Sequence, residues 1–264
     1  MMNSVLSMLL RYVNGQYKKD THYDIALSLL THYSEISRMT INDLADICYV
    51  SPASISRFIK MLGFQSFHEF KDACKNTLAI ENTDYSREVS KATKEDIEPI
   101  FERYTDHVIE NIRYTYNQIS YDQLDRISHM IYESEDVLML GLEFSTLLAQ
   151  HFQNRFALMN KYIKIGLSYE EQLELVKSLK EKSLVFILTI EGGYFYRNDE
   201  IIRLLLQKNT KIVALTMNTQ SKLMKEVDEI IICSKENSDT EGRVSLLYVL
   251  ELLIMYYCIN FSHR

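Results

Sequence analysis

From Thr40 to Gly63 the chain reads Thr-Ile-Asn-Asp-Leu-Ala-Asp-Ile-Cys-Tyr-Val-Ser-Pro-Ala-Ser-Ile-Ser-Arg-Phe-Ile-Lys-Met-Leu-Gly, with small, hydroxylated and cationic side chains interleaved with an apolar pattern. On a helix, Ile55, Phe58, Ile59 and Leu62 fall on one face, leaving Ala53, Ser54, Ser56, Arg57 and Lys60 on or near the other. Such an outer face is slim enough to enter a DNA major groove. Its hydroxyls and first N–H groups suit phosphates, and Arg57 suits a guanine edge or a phosphate. The residues expected at double-stranded DNA are Thr40, Ser51, Ala53, Ser54, Ser56, Arg57 and Lys60. The plainer alternative is a three-helix core whose caps and amphipathicity are generic and whose Arg57 and Lys60 are merely solvated.

Two short helices must position these groups. Thr40 is a candidate cap for a first helix with Ile41, Leu44 and Ile47 facing inward, and Ala45 is small enough to admit a second helix closely. Ser51 followed by Pro52 marks the start of that second helix, and Gly63 marks its end. The whole segment from Ser4 to Leu78 keeps helical spacing and has no alternating β-branched run. The net charge of −7 is unevenly spread: residues 1–80 carry 8 Lys+Arg and 7 Asp+Glu, and the remainder carries 21 and 29. A near-neutral first part can still present a basic face to a polyanion.

From Ile80 to Ile97 the chain turns polar (Glu81, Asn82, Asp84, Ser86, Arg87, Glu88, Ser90, Lys91, Lys94, Glu95, Asp96), a linker composition. The expected division is 1–79 for an all-α helix-turn-helix domain, 80–96 for a linker and 97–264 for a second domain. After helices at 97–119 and 121–132, apolar runs at Val137–Leu140, Tyr162–Leu167, Leu184–Ile190, Lys211–Met217 and Glu229–Cys233 read as strands. Ser145–Met159, Tyr169–Leu179, Asn198–Gln207, Ser221–Val227 and Thr240–Phe261 read as helices. Unbroken apolar strands separated by helices imply an α/β doubly wound parallel sheet covered on both faces.

Several chemistries find no support. Cys48, Cys74, Cys233 and Cys258 are scattered without a CxxC pair, and the seven histidines, His263 included, show no metal or triad spacing. No metal, cofactor or catalytic residue is therefore expected. The N-terminus lacks a signal-peptide pattern, since Arg11 and Asn14 interrupt its apolar run, so a cytoplasmic location is expected. Val244–Phe261 approaches the length of a membrane span, but Glu251 near its centre favours a buried terminal helix and no membrane role. Tyr104, Tyr114 and Tyr116 are expected at core or interface positions.

The run Ser51-Pro-Ala-Ser-Ile-Ser-Arg-Phe58, with Leu62-Gly63-Phe64 and the Phe67, Phe70 and Lys71 that follow, resembles the N-terminal domain of RpiR-type transcriptional regulators. One departure is Tyr49, which stands where that family usually has glycine; at positive φ such a side chain costs about 1 kcal/mol. The resemblance continues from about Ile119 into a sugar isomerase (SIS) domain, which implies a sugar or sugar-phosphate effector held by turns after two strands. The positions it implies are Gly141, Ser145, Thr189, Glu191 and Gly192. Glu143 and Glu191 replace a glycine and a serine of that pattern, and Tyr194 replaces its threonine. Carboxylates there oppose a phosphate, so three options stay open: a phosphorylated sugar, an unphosphorylated or cationic ligand, and a purely dimerising domain.

The resemblance also implies a homodimer or higher homo-oligomer on a palindromic operator, with half-sites spaced by turns of roughly 34–36 Å. Carbohydrate or amino-sugar genes are the expected targets. The alternative is an SIS-type sugar-phosphate isomerase with Glu241 as its base, although capping of the last helix explains that residue more simply.

Overall fold

The computed structural model describes residues 4–15, 19–81, 85–86, 88–208, 210–220 and 222–261. Asn82, Asp84, Arg87, Ser221 and His263, named above, lie outside them. The chain divides into two compact units, residues 2–84 and 85–264.

The first unit holds α1 (Val5–Gly15), α2 (Thr21–Thr31), a 3-10 turn at Ile36–Arg38, α3 (Ile41–Ile47), α4 (Pro52–Met61) and α5 (Phe67–Glu81). Its core gathers one apolar stripe from each helix, among them Leu9, Leu29, Leu44, Ile55, Phe58 and Phe70, all fully buried. Phe58 reaches across to Tyr12 edge-on at 5.7 Å, so α4 is held by its inner face alone. Lys71 donates to the Met39 carbonyl at 2.7 Å, tying α5 to the segment that leads into α3.

The second unit opens with 3-10 turns at Val89–Lys91 and Lys94–Asp96, then α6 (Ile97–Gln118) and α7 (Tyr121–Glu133). The stretch read as a linker is thus partly built. α5 runs on to Glu81, Thr93 and Asp96 form a reciprocal capping box, and Ser86 N–H donates to Asp239 at 2.6 Å. Polar residues satisfied by local caps look like linker composition in a sequence.

Five strands follow: β1 (Val137–Gly141), β2 (Ile163–Ile165), β3 (Leu184–Leu188), β4 (Lys211–Thr216) and β5 (Glu229–Ile232). All pair in parallel, in the order β2-β1-β3-β4-β5. α8 (Phe144–Ala157), α9 (Tyr169–Lys177), α10 (Gly193–Arg197), α11 (Asp199–Gln207) and α12 (Gly242–Phe261) complete the unit. One face of the sheet packs on α7, α8 and α12 through Phe152, Phe156, Phe186 and Leu250; the other packs on α9 to α11 through Val176, Ile187, Tyr194 and Ile201. This is the doubly wound α/β fold.

One local reading is corrected and another extended. Lys222–Glu226 is a 3-10 turn rather than a full α-helix, and the helix placed at Asn198–Gln207 is α11, preceded by a short helix the sequence did not suggest, α10, from which it is separated at Asn198 (φ −124°, ψ 47°). α12 is long and apolar enough to pass for a membrane span, yet Leu246, Val249, Leu250, Leu253 and Tyr257 enter the core. Its outer face is a stripe at helical spacing: Val244, Leu247, Glu251, Met255 and Ile259, the last 76% exposed. Glu251 is paired there with His151 of α8 at 2.5 Å.

Candidate nucleic-acid interface and ligand crevice

α3 and α4 form a helix-turn-helix because each carries its own start signal. Thr40 accepts from the Asp43 N–H at 3.2 Å, while Asp43 accepts from the Thr40 N–H at 2.7 Å and its hydroxyl at 2.8 Å. These bonds hold the Asp43 carboxyl below its ordinary range. Thr40 therefore spends its hydroxyl proton on its own cap. Ser51 caps α4 by accepting from the Ser54 N–H at 3.2 Å, with Pro52 in the first turn, where its missing N–H costs nothing.

The outer face of α4 carries a chain of polar contacts. Ser51 and Ser54 hydroxyls lie 3.1 Å apart, and Arg57 donates to Ser54 Oγ at 3.1 Å. Ala53, Arg57 and Lys60 are exposed, and Ser54 and Ser56 are half-buried at the edge of the same face. Six of the seven residues expected at DNA thus line the N-terminal half and outer side of α4; Thr40 begins the preceding helix. Between the helices, Tyr49 takes φ +53° and is 94% exposed.

In the second unit the strand order reverses between β1 and β3, so the loops leaving their carboxyl ends run in opposite directions and part to form a crevice. Gly141 ends β1 where a Cβ would lie 2.7 Å from Ser145 Cβ, so the close start of α8 requires glycine. After β3 the chain turns through Thr189 to Gly192, whose φ is +85°. Ser145 and Thr189 are nearly buried, and Glu143 and Glu191 are exposed. Glu143 itself adopts φ +42° at the entry to α8.

The start of α12 closes the crevice from the side. Asn237 donates to Glu191 at 2.9 Å and accepts from the Gly242 N–H at 3.0 Å. The Arg243 guanidinium lies 5.3 Å from the Phe144 ring centre, which puts a cation at the rim that the sequence did not single out. Asn218 donates to the Glu191 carbonyl at 3.2 Å, a further contact the sequence did not suggest.

Tyr194, in the place of the family's threonine, faces away from the crevice. It is 1% exposed, and its hydroxyl donates to Gln172 at 2.6 Å. Burial raises its pKa strongly, so the hydroxyl stays a donor. Gln172 in turn donates to the Gly141 and Gly166 carbonyls at 2.9 and 3.0 Å, and Thr189 Oγ1 accepts from the Tyr194 N–H at 3.0 Å. The turn after β3 is therefore bonded from within, its Thr189 oxygen accepting while its hydroxyl proton is left to donate.

Glu241, considered as a base, is fully buried and accepts from Ser238 N–H, Ser238 Oγ and Asp239 N–H at 3.0, 3.0 and 2.6 Å. His107 of α6 stands 3.7 Å from both Glu241 and Glu236, a grouping that spacing along the chain concealed.

Comparison with known proteins agrees with this architecture. Residues 8–81 match the family model described as a helix-turn-helix domain of the rpiR family, and residues 130–256 match the SIS domain. The HTH-type transcriptional regulator YbbH of Bacillus subtilis is 20% identical over 236 residues, covering 86% of this chain and 81% of that protein. A regulator of Haemophilus influenzae is 22% identical over 241 residues, covering 87% and 82%. Among solved structures, Vibrio vulnificus NanR complexed with ManNAc-6P shares the fold at a TM-score of 0.55 and 16% identity, covering 97% of this chain and 93% of that one. The sugar isomerase domain of an RpiR transcription factor from Sphaerobacter thermophilus does so at 0.55 and 16%, covering 63% and 93%. With a helix-turn-helix of the rpiR family leading into an SIS domain, and relatives of matching length named as transcriptional regulators, this chain belongs to the RpiR-type regulators.

Proposed function

We propose that the outer face of α4 reads double-stranded DNA and that the crevice between β1 and β3 takes a carbohydrate effector, most consistent with an amino sugar or its phosphate. The observation that carries the first half is the Ser51–Ser54–Arg57 contact chain on a helix whose opposite face is fully committed to the core. Arg57 and Lys60 supply charge to phosphate or guanine, and Ala53, Ser54 and Ser56 leave room for the groove wall.

For the effector, Glu143 and Glu191 accept hydrogen bonds from a ligand rich in hydroxyl or amine donors, and Arg243 offers a counter-charge to an anionic group. NanR, solved with ManNAc-6P, shares this fold and supports an amino-sugar class. Regulation of carbohydrate genes follows from that effector. Two copies associate on the outer stripe of α12 and set the spacing of a palindromic operator. A ligand that binds two dimer geometries unequally then shifts DNA affinity. The chain acts as a cytoplasmic regulator and not as an isomerase, since Glu241 is buried behind three donors.

Binding to DNA fragments recovered from genomic DNA by the purified protein tests this reading. Arg57→Ala should weaken binding by about 5- to 100-fold and lower the salt dependence by about one counterion, with thermal stability unchanged. Equal affinity of the folded variant refutes the interface. Calorimetry with amino sugars and their phosphates tests the crevice, and no heat from any of them refutes the effector class.

A further inference from the structure

The turn between α3 and α4 is fixed by backbone hydrogen bonds on both sides of Tyr49. Cys48 N–H donates to Leu44 at 3.1 Å, Tyr49 N–H to Asp46 at 3.1 Å and Val50 N–H to Ala45 at 3.0 Å. Together they require φ +53° at Tyr49, a conformation that glycine adopts freely and an L side chain adopts at a cost. The side chain returns nothing to the free protein: at 94% exposure the ring buries almost no surface. A strained backbone and a wholly exposed aromatic ring at one position are both unfavourable for the isolated fold. Their benefit must come from a partner that lies against the turn.

Where such a partner touches follows from the docking of a helix-turn-helix. The N-terminal residues of the second helix enter the major groove while the first helix crosses the sugar-phosphate backbone, so the connecting turn lies over the groove edge. Tyr49 stands two positions before Ser51, the cap of α4. A phenol at that edge has a hydroxyl proton for a phosphate oxygen and a flat face for a deoxyribose. We propose that Tyr49 is a DNA-backbone contact, its Oη–H donating to a phosphodiester oxygen, and that this contact is the reason the turn tolerates a strained tyrosine. The inference rests on the DNA-binding reading of α4 and adds a residue to it.

The test uses the full chain and two duplexes, one enriched by the wild-type protein from a random-sequence pool and one unselected duplex of equal length. Tyr49→Phe keeps the ring and removes the donor. Its affinity for both duplexes should fall by about three- to tenfold, with their ratio and the salt dependence unchanged, because a neutral hydroxyl releases no counterion. Tyr49→Gly should weaken binding at least as much while raising the unfolding midpoint of the first unit by a few degrees. That opposition in sign excludes simple loss of fold. Wild-type affinity of Tyr49→Phe for both duplexes overturns the proposal, as does weakening confined to the enriched duplex, which would make Tyr49 a reader of bases. Failure of the underlying reading looks different: wild type and Arg57→Ala would then bind alike.

Discussion

Tyr194→Phe removes one oxygen atom from the interior of the second unit and leaves the ring to fill the same space. Its consequence is set by Gln172, whose Oε1 loses its donor at 2.6 Å while its Nε2 still donates to the Gly141 and Gly166 carbonyls. Turning the amide over offers no remedy, since it would aim Oε1 at two carbonyl oxygens. An acceptor orphaned in a buried site costs about 1–3 kcal/mol. For a unit of this size each kcal/mol lowers the unfolding midpoint by about 2–4 °C, so a loss near 2 kcal/mol predicts a fall of about 4–8 °C. Differential scanning calorimetry should show that fall in the transition of the second unit and none in that of the first. In a double-mutant cycle with Gln172→Leu, coupling of about 0.5–3 kcal/mol is expected, since the two side chains share one bond. A midpoint within about 1 °C of wild type would refute the claim that this network braces the turn after β3.

Alkaline pH probes the same region: burial, with Glu200 accepting from its hydroxyl, pushes the Tyr169 phenol up to about 12, and burial raises Tyr194 further. Unfolded tyrosines ionise near pH 10, so the native chain keeps protons that the unfolded chain has lost. Stability should be full below about pH 10 and decline as pH rises toward 12, as read by urea unfolding at stepped pH. Burial raises the Cys48 thiol and holds those of Cys74 and Cys233 at about 12, and Cys258 is the exposed cysteine, so iodoacetamide on the native protein should label Cys258 first by mass spectrometry. Met255→Asp with Ile259→Asp should yield monomers by sedimentation and leave the unfolding midpoint within a few degrees; dimers of unchanged affinity would place the interface elsewhere.

How far the sequence disclosed this molecule depended on how local the deciding interactions are. Ser51-Pro52 and Gly63 bracket α4 because caps and terminators act within four residues, and the apolar runs located all five strands because a covered parallel sheet tolerates no polar interruption. The outer face of α4 could be listed residue by residue for the same reason. The crevice was less legible. Arg243 reaches it only because the start of α12 folds back against α8, and Tyr194 turns inward because its hydroxyl finds Gln172, 22 residues earlier in sequence. His107 and Glu241 meet only once α6 has packed beside the end of the sheet. In the polar stretch before α6 the division between the units at residues 84 and 85 falls where composition placed a linker, but the Thr93–Asp96 capping box, though local, was outweighed by that composition.

α12 joins two places described separately: its first turn is bonded and packed against the loops of the crevice, and its outer stripe runs on to Ile259. At about 1.5 Å per residue, its 20 residues form a rod of about 30 Å. A continuous helix is stiff in bending, so a tilt of about 2° imposed at Gly242 would carry Phe261 through about 1 Å, without any loop between the two ends to absorb it. The crevice mouth and the far end of the stripe are in this sense the pivot and the tip of one stiff pointer.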